Sequence, residues 1–390
     1  MKKAKKYSAA DIITTVGLLV VIYGFAVAMI ASPDKEYSED ENRYLQTLPR
    51  FSIESVTSGK YTKDIASYCS DQMPLRGAFV GAKAAVEAAS LKKENNSVLR
   101  GKDGYIIAKN DYADFDMMKK NIAAIKYFAD VCGADLRVAV AGRSQDVLLR
   151  YMPSLYPAKE VSDAVFDRLN DTLDTAQIDL LTPLRERADG GEYVYYKTDH
   201  HWTTLGAYYA YVEIISSYGI EPYPLEYFRR ETVSDEFYGT TWSKAGMKWI
   251  GPDQMEFFRF EGDENFVCEI VDSGEIIDGF YERSYLDGKD KYSAFIGGNN
   301  GRVKIYLDEP QKDRETLVLI KDSFAHSLAP FLAMHFDLDV IDLRYYKLPV
   351  AEVIAESAAE KVLIMYNIDS LISAKDTLLL MALSAPVSNK

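Results

Sequence analysis

Two of the chain's four histidines stand side by side in Lys197-Thr198-Asp199-His200-His201-Trp202-Thr203-Thr204, directly after an acid. A carboxylate can hold an imidazole in one tautomer while the imidazole takes a proton from a nucleophile, so this stretch reads as the orienting half of a hydrolase-type triad. The Tyr- and Val-rich run Glu192 to Tyr196 predicts a strand, and Thr203 or Thr204 predicts the N-cap of a helix beginning near Leu205. Asp199, His200 and His201 then lie on a strand-to-helix turn. Side chains at i and i+2 of extended backbone share a face, so Asp199 and His201 point into one pocket and His200 points elsewhere. His200 as the base, and a purely structural or metal-binding pair, are the alternatives that geometry leaves open.

The pair needs a nucleophile, and Ser323 is the candidate. Thr316-Leu317-Val318-Leu319-Ile320 has the length of a buried strand, and Lys321-Asp322-Ser323-Phe324-Ala325-His326 follows before a helical stretch to about His335. A serine on such a turn can use its own amide and the helix N-terminus to face a developing oxyanion, although an N-cap is the commoner use of the position. Two further strands end in polar residues that can reach the same crevice: Leu338 to Leu343 leads to Arg344, and Lys361 to Tyr366 leads to Asn367. Asn367 is a candidate oxyanion donor and Arg344 a candidate anion or carbonyl ligand, with capping and salt bridging as the ordinary readings. Outside the pair only His326 and His335 remain, too few ligands for a dinuclear metal centre.

These residues need a scaffold, and from Asp116 onward the pattern is α/β. A helix near Asp116 to Val131 leads to a strand at Leu136 to Ala141 and a Gly142-Arg143-Ser144 loop; a helix near Ser162 to Thr175 leads to a strand at Ile178 to Leu181. Alternation of this kind predicts a largely parallel sheet flanked by helices, with its site in loops beyond the strands' carboxyl ends. Between about 221 and 313 the alternation gives way to a strand-rich, turn-rich segment, expected as an inserted subdomain or an elaborate lid. Its Trp242, like Trp202, is an aromatic that can stack on a saccharide face, core packing being the usual role. Upstream, Ser52 to Leu91 is expected to be mainly helical, and Gly101 to Ile107 a tight turn into a strand.

The 390 residues are 48% hydrophobic, enough for a substantial core, and carry a formal charge of -14. Without a concentrated basic face, nucleic acid is excluded as a partner. Cys69, Cys132 and Cys268 are odd in number and widely spaced, which suggests neither a disulfide framework nor a zinc site. Lys2, Lys3, Lys5 and Lys6 precede an uncharged run from Ile12 to Ser32 that is long enough to span a bilayer. The lysines should stay in the cytoplasm and place the remainder outside, giving a single-pass cell-membrane protein with residues 1–32 as tail and anchor. Ala26-Val27-Ala28 resembles a cleavage site, so a removable signal peptide is the rival, but the run exceeds a typical signal core. Residues 33–50 then read as a charged surface linker and 51–390 as the catalytic α/β domain.

The chain resembles the bacterial DHHW protein family through Glu41-Asn42-Arg43 with Leu45 and Pro49, through Asp199-His200-His201-Trp202, Phe237-Tyr238-Gly239, and Lys321-Asp322-Ser323-Phe324. That family is similar to the alginate O-acetyltransferase proteins and their SGNH-hydrolase-like domain, in which an Asp-x-His-Trp motif precedes the serine. The resemblance implies an SGNH-like fold and assigns Ser323 as nucleophile, His201 as general base and acid, and Asp199 as orienting acid. It also implies an extracytoplasmic O-acyltransferase, with acetyl as the acyl group, acting on a cell-surface or secreted polysaccharide without a cofactor or metal. Acyl-CoA is not available outside the cytoplasm, so a membrane-bound O-acyltransferase partner is implied as donor. A carbohydrate esterase with the same triad, and a non-catalytic polysaccharide-binding or assembly protein, are the alternatives. Lys321 departs from the glycine that commonly precedes Asp-Ser in SGNH enzymes.

Overall fold

The computed structural model describes residues 8–110, 114–154, 156, 160–173 and 177–382. They divide into two compact units, Met1–Lys92 with Gly246–Lys248, and Lys93–Ala245 with Trp249–Lys390. Lys2 to Lys6, and the end of the helix expected to reach Thr175, lie outside the described residues.

In the second unit the buried runs form an eight-stranded sheet. Its strands are β1 (Asp135–Ala141), β2 (Gln177–Asp179), β3 (Phe266–Ile270), β4 (Glu275–Asp278), β5 (Arg302–Leu307), β6 (Thr316–Lys321), β7 (Asp337–Ile341) and β8 (Lys361–Asn367), in the spatial order β4-β3-β5-β7-β6-β8-β1-β2. Strands β7, β6, β8, β1 and β2 run parallel, while β4, β3 and β5 add an antiparallel edge. The sheet is therefore mixed: the five strands that carry the α/β alternation are parallel as expected, and the three at the edge are not. The cause is local: β3 and β4 are joined by a four-residue turn with Gly274 at φ +72°, and a turn that short reverses the chain. The strand-rich stretch at 221–313 accordingly divides. Arg229–Phe237 and Asp253–Arg259 pair only with each other, and the rest extends the main sheet.

Alternation along the strands builds a core on each face. Ala139, Leu319 and Leu363 pack on one side with the helix Thr204–Ser217, through Leu205, Tyr208, Tyr211 and Ile215. Val138, Val318, Ile320 and Val362 pack on the other with Ile122, Ile125 and Phe128 of the helix Phe115–Val131. Period-2 strands and period-3.6 helices supply complementary faces, which gives a helix–sheet–helix sandwich.

The run Glu192 to Tyr196 is not a strand. Tyr195 makes an isolated antiparallel bridge to Trp202, the Tyr196 amide donates to the His201 carbonyl at 3.2 Å, and the Thr203 amide donates to the Val194 carbonyl at 3.0 Å. Its aromatic side chains serve the core instead, and the chain closes on itself as a loop before Thr203 caps the helix by accepting from the Gly206 amide. Gly206 is required there, because a Cβ would lie 2.2 Å from the Val194 carbonyl oxygen.

In the first unit, Ala9–Ala31 is a helix of 23 residues, capped by a reciprocal Ser8–Asp11 box and with no buried residue. At about 35 Å it is long and apolar enough to cross a membrane, a property that anchors share with signal sequences. Ile53–Thr57, Lys60–Asp71 and Arg76–Ala89 are helical as expected. The stretch expected as a linker holds a short hairpin, Tyr37–Ser38 with Arg43–Tyr44, fixed by Arg43 to Asp71 at 2.6 Å and Arg76 to Glu41 at 2.6 Å.

One core contact sets a pH response. Tyr211 Oη accepts from the Tyr223 amide at 2.8 Å and lies 2.9 Å from His335 Nε2. Burial, helped by the Arg314 charge, pushes His335 down to about 4. Below the ordinary value of about 6.5 the unfolded chain takes up a proton that the folded chain refuses, so stability is full above that pH and falls toward 4. Thermal melts at pH 7 and pH 5 should show a smaller acid-induced drop in His335→Gln than in the wild type. Equal drops would remove His335 from the account.

Candidate active site

At the carboxyl edge of the sheet, β6 delivers the turn Ser323–His326, and the loop before the helix Thr204–Ser217 delivers Asp199 and His201. His201 Nδ1 lies 2.6 Å from Asp199 Oδ1, and His201 Nε2 lies 2.8 Å from Ser323 Oγ. Asp199 Oδ1 also accepts from the His201 amide at 3.0 Å, while Oδ2 accepts from the Thr240 amide at 2.7 Å and the Thr240 hydroxyl at 2.9 Å. A carboxylate has no proton to give, so Nδ1 carries the hydrogen and Nε2 presents its lone pair to the serine. Ser323 is partly exposed; Asp199 and His201 are buried. Burial alone would raise the Asp199 carboxyl, but the neighbouring imidazoles and the hydrogen bonds outweigh it and hold the group well below the usual carboxylate range.

His200 does not point away, as the alternation of an extended strand suggested. Its ring lies 3.9 Å from that of His201, and its Nδ1 is 2.8 Å from Thr240 Oγ1. The Thr240 hydroxyl has one proton and gives it to Asp199, so it accepts from His200 Nδ1, and His200 Nε2 is left unprotonated. Burial and the neighbouring His201 imidazole push His200 down to about 4, although the 41% exposure of its side chain lets solvent moderate the shift. The departure follows from the loop geometry, since residues 199–201 are not extended strand.

The other expected site residues are placed differently. Trp202 is fully buried and donates from Nε1 to the Phe324 carbonyl and to Ser327 Oγ, both at 3.0 Å, so it clamps the acid–histidine loop onto the serine turn. Trp242 is buried, with Nε1 donating to the Ile250 carbonyl and its ring 4.6 Å from Tyr238, which makes it part of the packing and not a stacking platform. Asn367 spends its amide on the Ala141 and Gly142 carbonyls at 3.3 and 3.1 Å. That removes it as an oxyanion donor; it ties β8 to the loop after β1. Arg344 pairs with Asp342 at 2.6 Å and with Asn299 at 2.9 Å, the salt-bridging use.

Lys321, the departure from glycine, is buried. Its ammonium lies 3.0 Å from Asp342 Oδ2 and 2.7 Å from His326 Nε2, so it spans β6, the loop after β7 and the serine turn. Burial lowers Lys321, with Asp342 opposing. Removing one partner of such a pair costs roughly 3–5 kcal/mol, because the other charge is left buried and uncompensated. Asp322 adds a second tether, accepting from the Phe324 amide at 2.9 Å, the Asn367 amide at 2.6 Å and the Ser370 hydroxyl at 2.6 Å.

Four contributors had no role assigned from sequence. Tyr292 stacks on His201 at 4.0 Å and 10°. Asp253, from the separate two-stranded pair, accepts from the Lys197 and Thr198 amides at 2.9 and 2.8 Å and from the Thr198 and Tyr193 hydroxyls. Thr240 and Gly239 close over Asp199: a Cβ on Gly239 would lie 2.3 Å from Asp199 Cβ and 2.4 Å from its Oδ2. The Phe237-Tyr238-Gly239 motif was the one available signal for this group. Within the described residues Asp199, His200 and His201 could also gather ligand atoms for a metal ion, but both His201 nitrogens are already engaged by Asp199 and Ser323.

Residues 166–341 match the family model described as DHHW protein. Over 173 residues the chain is 22% identical to a protein of Pseudomonas putida described as a probable alginate O-acetylase, AlgJ, a match covering 42% of this chain and 44% of that one. The chain thus spans under half the length of this curated relative. A crystal structure of a DHHW family protein from Eubacterium siraeum superimposes with a TM-score of 0.59 at 20% identity, covering 73% of this chain and 95% of its own. Bacillus cereus PatB1 with a sulfonyl adduct gives 0.59 at 18% identity, covering 72% and 97%. These two structures share the fold.

Proposed function

We propose, starting from the DHHW match over residues 166–341, that the protein is an extracytoplasmic, membrane-anchored O-acyltransferase that modifies a cell-surface or secreted polysaccharide. The observation that carries the proposal is the continuous hydrogen-bonded chain Asp199–His201–Ser323 at the open carboxyl edge of the sheet. In this reading the fold is SGNH-like and Ala9–Ala31 is retained as the anchor, with a membrane-bound acyltransferase supplying the acyl group. His201 Nε2 takes the Ser323 proton as Oγ attacks the acyl carbonyl, and the Ser323 amide stabilises the oxyanion. Collapse expels the donor alcohol with the proton from His201 and leaves an acyl ester on Ser323. A saccharide hydroxyl, deprotonated by His201, then takes the acyl group as the Oγ–acyl bond breaks, and His201 returns that proton to Ser323 Oγ. Tyr292 stacks on the imidazole, and Asp199 holds its Nδ1–H in both the neutral and the protonated state of His201.

The test uses a chromogenic acetyl ester with and without a saccharide acceptor, following transfer and hydrolysis together. Transfer exceeding hydrolysis is expected; hydrolysis indifferent to acceptor assigns an esterase. Because the PatB1 structure holds a sulfonyl adduct, a sulfonyl fluoride is the natural serine probe. It should label Ser323, and failure to label a folded protein counts against a covalent mechanism. Gly239→Ala should lower turnover by about 10²-fold, since its methyl group must displace Asp199 and misplacement on this scale costs that much. A Gly239→Ala enzyme with undiminished turnover would detach Asp199 from catalysis.

A further inference from the structure

The helix Arg76–Ala89 of the first unit carries an apolar stripe that faces solvent. Leu75, Ala78, Phe79, Ala82, Val86 and Ala89 recur at helical spacing and are all exposed, Leu75 at 71% and Val86 at 70%. Such a face is unusual in a water-soluble surface, where large apolar side chains occur singly. Lys83 and Glu87 at its margin pair with each other at 3.4 Å, so the margin carries little net charge.

The spanning helix says what covers the stripe. Along Ala9–Ala31 the described residues are open except Phe25, Ala28 and Met29, which share one face at i, i+3 and i+4. The Phe25 ring meets Phe79 at a centroid distance of 5.7 Å. Phe25 lies six residues before the helix ends at Ala31, about 9 Å along the axis. That depth matches the roughly 5–10 Å to which an interfacial helix buries its apolar face below the headgroups. Leu91, 78% exposed just beyond the helix, continues the apolar surface.

We infer that Arg76–Ala89 is a second membrane element, lying in the outer interfacial layer with Leu75, Phe79 and Val86 in the acyl region of a phospholipid bilayer. The inference rests on Ala9–Ala31 spanning that bilayer. The spanning helix tethers the chain; the interfacial helix fixes its tilt and rotation, which a single helix followed by a loop does not. Lys83 lays its methylenes along the interface and keeps its ammonium among the headgroups. Contact is apolar, so it should persist at high salt and without anionic lipid.

The test is photo-crosslinking of the full-length protein in phosphatidylcholine vesicles, with p-benzoylphenylalanine incorporated at one position at a time. Val86, exposed and free of structural duty, is the informative position; Val20 in the spanning helix and Tyr345 in the second unit are the controls. Lipid adducts at Val86 in a yield within a few-fold of Val20, with none at Tyr345, are expected. Adducts at Val20 without adducts at Val86 overturn the inference, and their absence at Val20 overturns the spanning reading itself. In cells, a discrete protein adduct at Val86 assigns the stripe to a partner protein, and a self-adduct to a second copy; either also overturns it.

Discussion

Ser323→Ala is expected to lose turnover by about 10⁶-fold, the scale set by removing the nucleophile of well-characterised serine triads, while the protein stays folded. The two halves of that expectation have separate grounds. In the proposed mechanism activity goes because Ser323 Oγ is the atom that takes the acyl group, 2.8 Å from the His201 Nε2 that accepts its proton. Fold remains because Ser323 is partly exposed and loses one hydrogen bond, worth about 1 kcal/mol, while the turn is still held by Lys321 and Asp322. His201→Ala should be as severe in turnover. The double variant should be no worse than either single one, since the two groups act as a unit. Kinetics with a chromogenic ester beside thermal melts separates the two halves. A multiplicative loss in the double variant would mean that Ser323 and His201 act independently.

Asp199→Asn is expected to cost on the order of 10⁴ in turnover, the loss seen when a triad acid becomes an amide. The hydrogen-bond inventory explains why no orientation of the amide escapes. Oδ1 serves two donors, the His201 amide and Nδ1, and Oδ2 serves two more from Thr240. An asparagine has one oxygen. Turned toward Thr240, it offers its NH₂ to His201 and forces the proton onto Nε2, where it faces the serine; turned toward His201, it opposes two Thr240 donors. Each stranded buried donor costs about 1–3 kcal/mol, so a lower melting temperature should accompany the kinetic loss. The carboxylate's contribution to stability is present above its ordinary titration range and persists well below it, because its folded value is depressed. An Asp199→Asn enzyme with near-normal turnover and stability would show that His201 needs no orienting acid.

What was legible in the sequence was what chain-local physics decides. The runs at Leu136, Thr316 and Lys361 are strands because they are apolar, β-rich and flanked by helices, and Ser323 falls at a strand's end for the same reason. The Asp199–His201 spacing read correctly as a shared direction, though for a reason that did not apply. The pair sits in a closed loop, and the same alternation therefore misplaced His200. The gaps concern partners distant in the chain. Asp253, Thr240 and Tyr292 come to the site from the strand-rich stretch, and no periodicity marks a residue for a contact with another some forty to ninety positions away. Asn367 and Arg344 lie at strand ends as expected, but their donors were already committed to Ala141, Gly142 and Asp342. The edge strands looked like an insertion because hairpin connections break the α/β rhythm even where the strands join the same sheet.

The central claim is a covalent acyl intermediate on Ser323, and the direct measurement is its capture. Full-length protein mixed with the acetyl ester and quenched in acid within the first turnovers should gain one acetyl group, located by peptide mass on Ser323. The label should disappear on a chase with saccharide acceptor as acetylated product appears, and it should be absent from Ser323→Ala. Steady turnover with no acetyl on Ser323 at any time, or with the label on another residue, would contradict the account.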